Sequence, residues 1–232
     1  MKKTLLKSAL ALITALSVPA SFAQDPAPDL LLKTVTLEVI ALVLHDKDIK
    51  GGNPAMVADL VETKILPLFD FPRMTQNAAA RSWLAASPQQ QKALTAEFRT
   101  LLVRTYSTAL SSYHDQIIEF KPLRGAAGDR EVTVRSVIRQ SGAAPMSMDY
   151  EMEKLPQGWK VYDIKLDGVS LITTYRDTFA DTVRDSGMDG LIKLLADKNR
   201  LGDARFRSHK TGDLFIPTML VHSLASRGSY IK

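Results

Sequence analysis

Residues 146–166 read MSMDYEMEKLPQGWKVYDIKL, and the class of the whole chain turns on how this run is built. Met146, Met148, Tyr150 and Met152 alternate strictly with Ser147, Asp149, Glu151 and Glu153. A period of two puts the apolar side chains on one face of a strand and the charged ones on the other. Pro156-Gln157-Gly158 then turns the chain, and a second extended run, Trp159 to Leu166, follows at once. Two strands joined by so short a link lie antiparallel. Just upstream, Val132, Val134 and Ile138 alternate with Thr133, Arg135 and Arg139, and residues 116–123 are again strand-like. Four consecutive strands separated by turn residues predict an antiparallel meander with one buried face.

On both sides of this block the period lengthens to that of a helix. Upstream, Pro28 and Asp29 precede apolar residues at Leu32, Val35, Val39, Leu42 and Val43. Asn53-Pro54 is a helix start, and Val57, Leu60, Val61 and Ile65 follow on one face. The run 66–72, with Pro67 and Pro72 among apolar residues, interrupts the period and is expected as an ordered loop against the core. A short helix through Met74 and Trp83 is expected after it. Ser87-Pro88-Gln89-Gln90 is a capping box, and the helix it opens carries Leu94, Phe98, Leu101, Leu102, Tyr106, Leu110 and Tyr113 near a 3.6 period. Beyond Asp167-Gly168, Ile172, Tyr175, Phe179 and Val183 share a face; Gly187 ends that helix, and Leu191, Ile192, Leu194 and Leu195 mark another. Helices, four strands, helices: the class is α+β, with helices wrapped on one face of a four-stranded antiparallel sheet.

The chain has 232 residues, no cysteine, and 30 basic against 25 acidic residues, a formal net charge of +5. That charge is not spread evenly. Residues 1–23, MKKTLLKSALALITALSVPASFA, have the order of a secretory signal: Lys2, Lys3 and Lys7, then an apolar run too short to span a bilayer, then Ser21 and Ala23 before a cleavage site. This segment holds three basic residues and no acid, and residues 203–232 hold five basic and two acidic. Subtracting both leaves 22 basic and 23 acidic residues in 24–202, a net charge of −1. The excess therefore belongs to an export address and an appendage, and it does not point to nucleic acid. The expected organisation is a signal peptide at 1–23, one domain at 24–201 and a weakly ordered extension at 202–232. The expected location is an oxidising, extracytoplasmic compartment, where a chain without cysteine cannot be mispaired.

Familiar catalytic chemistry is absent. There is no thiol, no G-x-S-x-G, no P-loop and no H-E-x-x-H. His45, His114, His209 and His222 have no partners at metal-ligand spacing, so neither a metal nor a cofactor is expected. Asp149, Glu151 and Glu153 lie on the strand face opposite Met148 and Tyr150 and read as a solvated face. The loop Gly125-Ala126-Ala127-Gly128 joins two strands and opens no helix, so it reads as a hairpin connection rather than a phosphate cradle.

Four separate segments carry a resemblance to a known family. They are RSWLAASPQQQ at 81–91, EFRTLLVRTY at 97–106, VYDIKLDGVSLITTYR at 161–176 and GMDGLIKLLADKN at 187–199. In that order they resemble the MlaC, or toluene-tolerance auxiliary, family of phospholipid-binding proteins, over about Leu30 to Asn199. One departure is visible: members usually carry a glycine and a second aromatic near the Trp83 helix, where this chain has Ala79-Ala80 before Arg81. The resemblance implies an NTF2-like sheet wrapped by helices, acyl chains held between the two, and an exposed headgroup. It also implies a monomeric, non-enzymatic periplasmic shuttle for glycerophospholipids that maintains outer-membrane lipid asymmetry. Its partners would be an outer-membrane lipoprotein–porin complex and an inner-membrane ABC transporter with MCE-domain subunits.

Combining the pattern with the resemblance gives a candidate lipid site. Val169, Ile172 and Tyr175 follow the family-like turn and are expected in the pocket. Met148, Tyr150, Met152, Tyr162 and Ile164 are expected to floor it, and Phe71, Phe98, Leu102 and Tyr106 to wall it. Tyr162 and Ile164 share one face of their strand and Trp159 and Val161 the other, and the pattern leaves open which face points inward. Arg99, Arg104, Arg135 and Arg139 are candidates for an anionic headgroup or partner. Two rival readings remain open. A hydrolase would need Asp163 or His114 facing the cavity, and a protein-only adaptor would have a filled interior.

Overall fold

The computed structural model describes residues 26–51, 53–111, 113, 116–125 and 128–207. The signal segment, His114, Ala126-Ala127 and the run from 208 lie outside the described residues. Among the described residues, seven helices and five strands follow one another: α1 (Pro28–His45), α2 (Lys47–Lys50), α3 (Pro54–Leu60), α4 (Phe71–Ala79), α5 (Arg81–Ala85), α6 (Pro88–Ser111), β1 (Ile117–Phe120), β2 (Glu131–Arg139), β3 (Met146–Leu155), β4 (Gly158–Leu166), β5 (Val169–Ser170) and α7 (Arg176–Arg207). The last helix runs past the boundary expected at 202.

The sheet is a single antiparallel meander in the order β1-β2-β3-β4-β5. It has five strands, not the four expected. The fifth is two residues long and folds back on β4, pairing Leu166 with Val169 and Lys165 with Ser170. Between them Asp167 and Gly168 both have positive φ, 47° and 83°. That is the conformation of a two-residue hairpin turn, for which Asp-Gly is a strong signal. A pair of residues is too short to show a period, so the turn was visible in the sequence and the strand was not.

The start signals work through side chains. The Ser87 hydroxyl accepts from the Gln90 amide at 3.2 Å while the Gln90 side chain accepts from the Ser87 amide at 3.0 Å, a reciprocal capping box. Asn53 accepts from the Ala55 amide, and Asp70 accepts from the Arg73 amide at the head of α4. Between α3 and α4 the chain passes through a π turn (Val61–Ile65) and a 3-10 turn (Leu66–Leu68), and then Phe69 bridges to Val161 at the free edge of β4. The expected helix through Met74 and Trp83 is two helices, broken at Ala80 (φ 49°, ψ −121°). In α7, Gly187 has φ 69° and ψ −179°, a region open only to glycine, so the helix axis breaks there as expected.

Packing joins these layers through two neighbouring cores. One is helical: Met74 and Ala78 of α4, Phe98 and Leu102 of α6, and Phe179, Leu191 and Leu195 of α7 are buried together with Ile172 and Tyr175. The other lies on one sheet face, where Val132, Val134, Met152 and Val161 are covered by Leu31 and Leu32 of α1 and by Leu68 and Phe69. Phe69 and Ile164 touch both cores.

Candidate functional site

The apolar sheet face is set by a bulge. Along β3, Tyr150 faces Ile164 and Glu151 faces Asp163, but Met152 faces Val161, so Tyr162 is left as the extra residue on β4. A bulge shifts the alternation by one. Val161 and Ile164 therefore both turn to the buried face although they are three apart, and Trp159 packs with them. Tyr162 is turned the other way, onto the charged face. There the Arg73 guanidinium lies 3.7 Å from its ring centre and pairs with Glu131 at 2.7 Å and with Glu153. The open question of which β4 face points inward thus has a split answer: Ile164 floors the interior and Tyr162 does not.

The other expected residues divide into three groups. Phe71, Phe98, Leu102, Ile172 and Tyr175 sit together in the helical core, with Tyr106 at its margin. The Phe98 ring meets Tyr175 at 5.0 Å and Phe179 at 5.1 Å, both edge to face. Met152 and Tyr150 belong to the sheet core, and Met148 is half-buried one pair along β3. Val169 stands 51% exposed on β5, outside the packed interior. Of the arginines, Arg99 pairs with Glu62 and Arg139 with Glu119, Arg104 donates to the Asn199 carbonyl, and Arg135 is exposed.

Among the described residues the polar groups of the interior are few. The Tyr106 hydroxyl is buried beside that of Tyr175, and burial pushes both phenols up from their ordinary range. Burial likewise pushes Tyr150 up to about 12. With the phenols pushed up, these groups stay protonated and do not act as bases at neutral pH. Asp163 is the buried carboxylate. It accepts from the Ser170 hydroxyl and from the amides of Ile164 (2.8 Å) and Ile172 (3.2 Å). These three donors hold it in the turn that seats Ile172 and Tyr175. Among the described residues no cluster of His, Asp and Glu could hold a metal ion, and no helix is long and apolar enough to cross a membrane.

An open cleft lies at one edge of the sheet. A cavity of about 220 Å³ lies between α1, through Lys33, Thr36, Leu37 and Ile40, and the edge strand β1, through Ile117, Ile118 and Phe120, with Tyr113 and Gln116 at its end. Leu37 is 55% and Ile117 62% exposed, so the rim is apolar and in water. Phe120 leads inward: its ring stacks on Tyr150 at 6.4 Å, and both pack on the sheet core. The cavity is below the roughly 300–1,000 Å³ of ordinary ligand pockets. Sequence reasoning missed this site. The signal was in α1, whose Leu37 and Ile40 lie off the Leu32–Val39–Val43 stripe and make the helix apolar on more than its core face.

Comparison with known proteins places these features in context. A family model described as MlaC protein matches residues 33–197. The toluene tolerance protein ttg2D of Pseudomonas putida is 24% identical over 181 residues, covering 78% of this chain and 83% of its own. The intermembrane phospholipid transport system binding protein MlaC of Haemophilus influenzae is 20% identical over 183 residues, covering 78% and 86%. The structure of a phospholipid-binding protein from Ralstonia solanacearum, in complex with a phospholipid, superposes with a TM-score of 0.70 at 40% identity, over 77% of this chain and 99% of that one.

Proposed function

The chain belongs to the MlaC family, and from that membership we propose that it is a periplasmic phospholipid carrier, exported by its amino-terminal signal. The observation that carries the reading is the fold shared with the Ralstonia protein, which is bound to a phospholipid. The cleft at α1 and β1 supports it, because its apolar rim leads through Phe120 and Tyr150 to the apolar sheet face.

The energetics favour a carrier of this kind. Two acyl chains hold roughly 30 methylenes at about 0.8 kcal/mol each, so a lipid alone in water costs on the order of 20 kcal/mol. Burying the chains between α1 and the sheet removes most of that cost. The headgroup stays at the rim, near Lys33, where its phosphate keeps its water. Because the cavity is smaller than a pair of chains, loading moves α1 away from the sheet. The residues beneath it, Met148, Tyr150, Met152 and Ile164, then become the floor for the chains, and Phe98, Leu102, Ile172 and Tyr175 lie beyond. No bond is made or broken, so no catalytic group is needed.

In the envelope the carrier exchanges glycerophospholipids with an inner-membrane ABC transporter bearing MCE-domain subunits and with an outer-membrane lipoprotein–porin complex, which maintains lipid asymmetry. Each partner offers the chains an equally apolar path. The test is mass spectrometry of denatured protein purified from a Gram-negative host, followed by exposure of delipidated protein to phosphatidylglycerol vesicles. Co-extracted phospholipid and uptake are expected. Repeated purification without lipid, together with no uptake, would leave a protein-only adaptor.

A further inference from the structure

Helix α1 is apolar on two faces. Its buried stripe, Leu32, Val39 and Val43, packs against the rest of the fold. Half a turn round the axis, Leu30, Leu37 and Leu44 recur every seven residues and are 56%, 55% and 39% exposed. Between them stand Thr34 and Ala41, both small and both exposed. A helix apolar on opposite faces is ordinarily enclosed on both. A repeat of seven is the spacing at which one helix meets another along its length, because it returns each leucine to the same seam. The stripe is continuous with the cleft: Leu37 belongs to both, and Lys33 and Ile40 lie beside it on the cleft side.

We propose that the occupant of this exposed stripe is a second copy of α1, packed parallel in a two-fold pair that covers the cleft mouth of both chains. The flanking charges select the partner. Lys33 stands on one side of the stripe and Glu38 on the other. In a parallel pair a flanking residue meets the one five places further along on the other helix, so Lys33 of each chain meets the partner's Glu38, twice in the dimer. An antiparallel pair sets each flank against its own kind and leaves these charges unmatched. An anionic bilayer would call for basic residues on both flanks. Lys33 is exposed, with no ion pair among the described residues. Glu38 holds Lys64 at 3.3 Å through Oε2, which leaves Oε1 for the second lysine. Three leucine layers make a small seam, so the pair forms and parts with concentration. Because the partner helix lies over Leu37 and engages Lys33, pairing and lipid loading exclude one another, and the loaded form is the monomer. This exclusion rests on the carrier reading, but the pairing does not.

The absence of cysteine makes the test direct. Leu37→Cys is oxidised under mild conditions and scored for a disulfide between two chains, with Leu84→Cys, 81% exposed on α5, as the control. A covalent dimer is expected for Leu37→Cys and little for Leu84→Cys. Equal crosslinking of both, or none for Leu37→Cys, overturns the proposal. Sedimentation velocity on delipidated protein then tests the register. Lys33→Glu alone and Glu38→Lys alone each turn two attractions into two repulsions and should weaken the dimer about tenfold. Mixing the two variants sets opposite charges across both flanks again and should restore it. A wild type that is monomeric at every concentration, or single variants that pair as well as the wild type, overturns the proposal. So does a monomer that instead sediments with phosphatidylglycerol vesicles, which would assign the face to a bilayer. Wild type loaded from such vesicles and separated from them is expected as a monomer, and a loaded dimer overturns the exclusion. If the wild type takes up no lipid, the carrier reading fails, and the crosslink still decides the pairing.

Discussion

Asp163 shows how a single residue was legible in kind but not in role. It stands in the family-like Tyr162-Asp163 pair and in sequence is a candidate acid. In the structure it is 8% exposed and ties β4 to the turn at Ser170 and Ile172. Burial, the largest influence, holds its carboxyl above the usual aspartate range despite the hydrogen bonds it accepts and the nearby Lys165 charge. The folded chain therefore binds this proton more tightly than the unfolded chain. That contribution to stability is complete below the unfolded pKa of about 3.9 and is lost as the pH rises through the higher folded value. Asp163→Asn keeps the oxygen acceptor and loses the titration. Its stability relative to the wild type should therefore rise between pH 4 and pH 7 in urea denaturation. Asp163→Ala leaves three donors without an acceptor and should cost about 1–3 kcal/mol, less at pH 7 than at pH 4 because it too loses the titration. A gap between wild type and Asp163→Asn that does not change with pH would refute the linkage. Tyr162, beside it, was misplaced for another reason: alternation is the only facing signal a strand carries, and a bulge resets it without any change of composition.

Among the elements, those with strong local signals were read correctly and those set by tertiary contact were not. The capping box at Ser87, the Asn53 cap and the alternation of β2 and β3 are local, and they appear where the residues put them. The break between α4 and α5 was hidden because alanine does not announce it. Ala80 has φ 49°, a conformation that favours glycine, and it lies just before the Trp83 helix, near which family members were expected to carry one. Held there by helices on both sides, Ala80 is strained by about 1–3 kcal/mol. Ala80→Gly should relieve part of this and raise the midpoint of thermal unfolding, with lipid carriage unchanged. A lower midpoint would mean that the backbone accommodates the alanine without strain. The cleft at α1 was hidden differently: the helix's buried stripe announced a core helix, while its second apolar flank, Leu37 and Ile40, lines a cleft only once the fold sets β1 beside it.

At the scale of the whole molecule, the even charge of residues 24–202 and the apolar rim at α1 and β1 belong to one design. A phospholipid carrier has no need of a charged surface to hold its cargo, since almost all the free energy of carriage lies in the chains. In the proposed carrier, loading would depend on one boundary, α1 against the sheet, where Phe120 stacks on Tyr150. The most direct measurement is the phospholipid occupancy, by native mass spectrometry, of wild type and Phe120→Glu after equal exposure to phosphatidylglycerol vesicles, with circular dichroism as the check that both are folded. The predicted result is bound phospholipid on the wild type and little or none on folded Phe120→Glu, because the glutamate places a charge on the path of the chains. A wild type that stays empty, or two proteins that load equally, would contradict it.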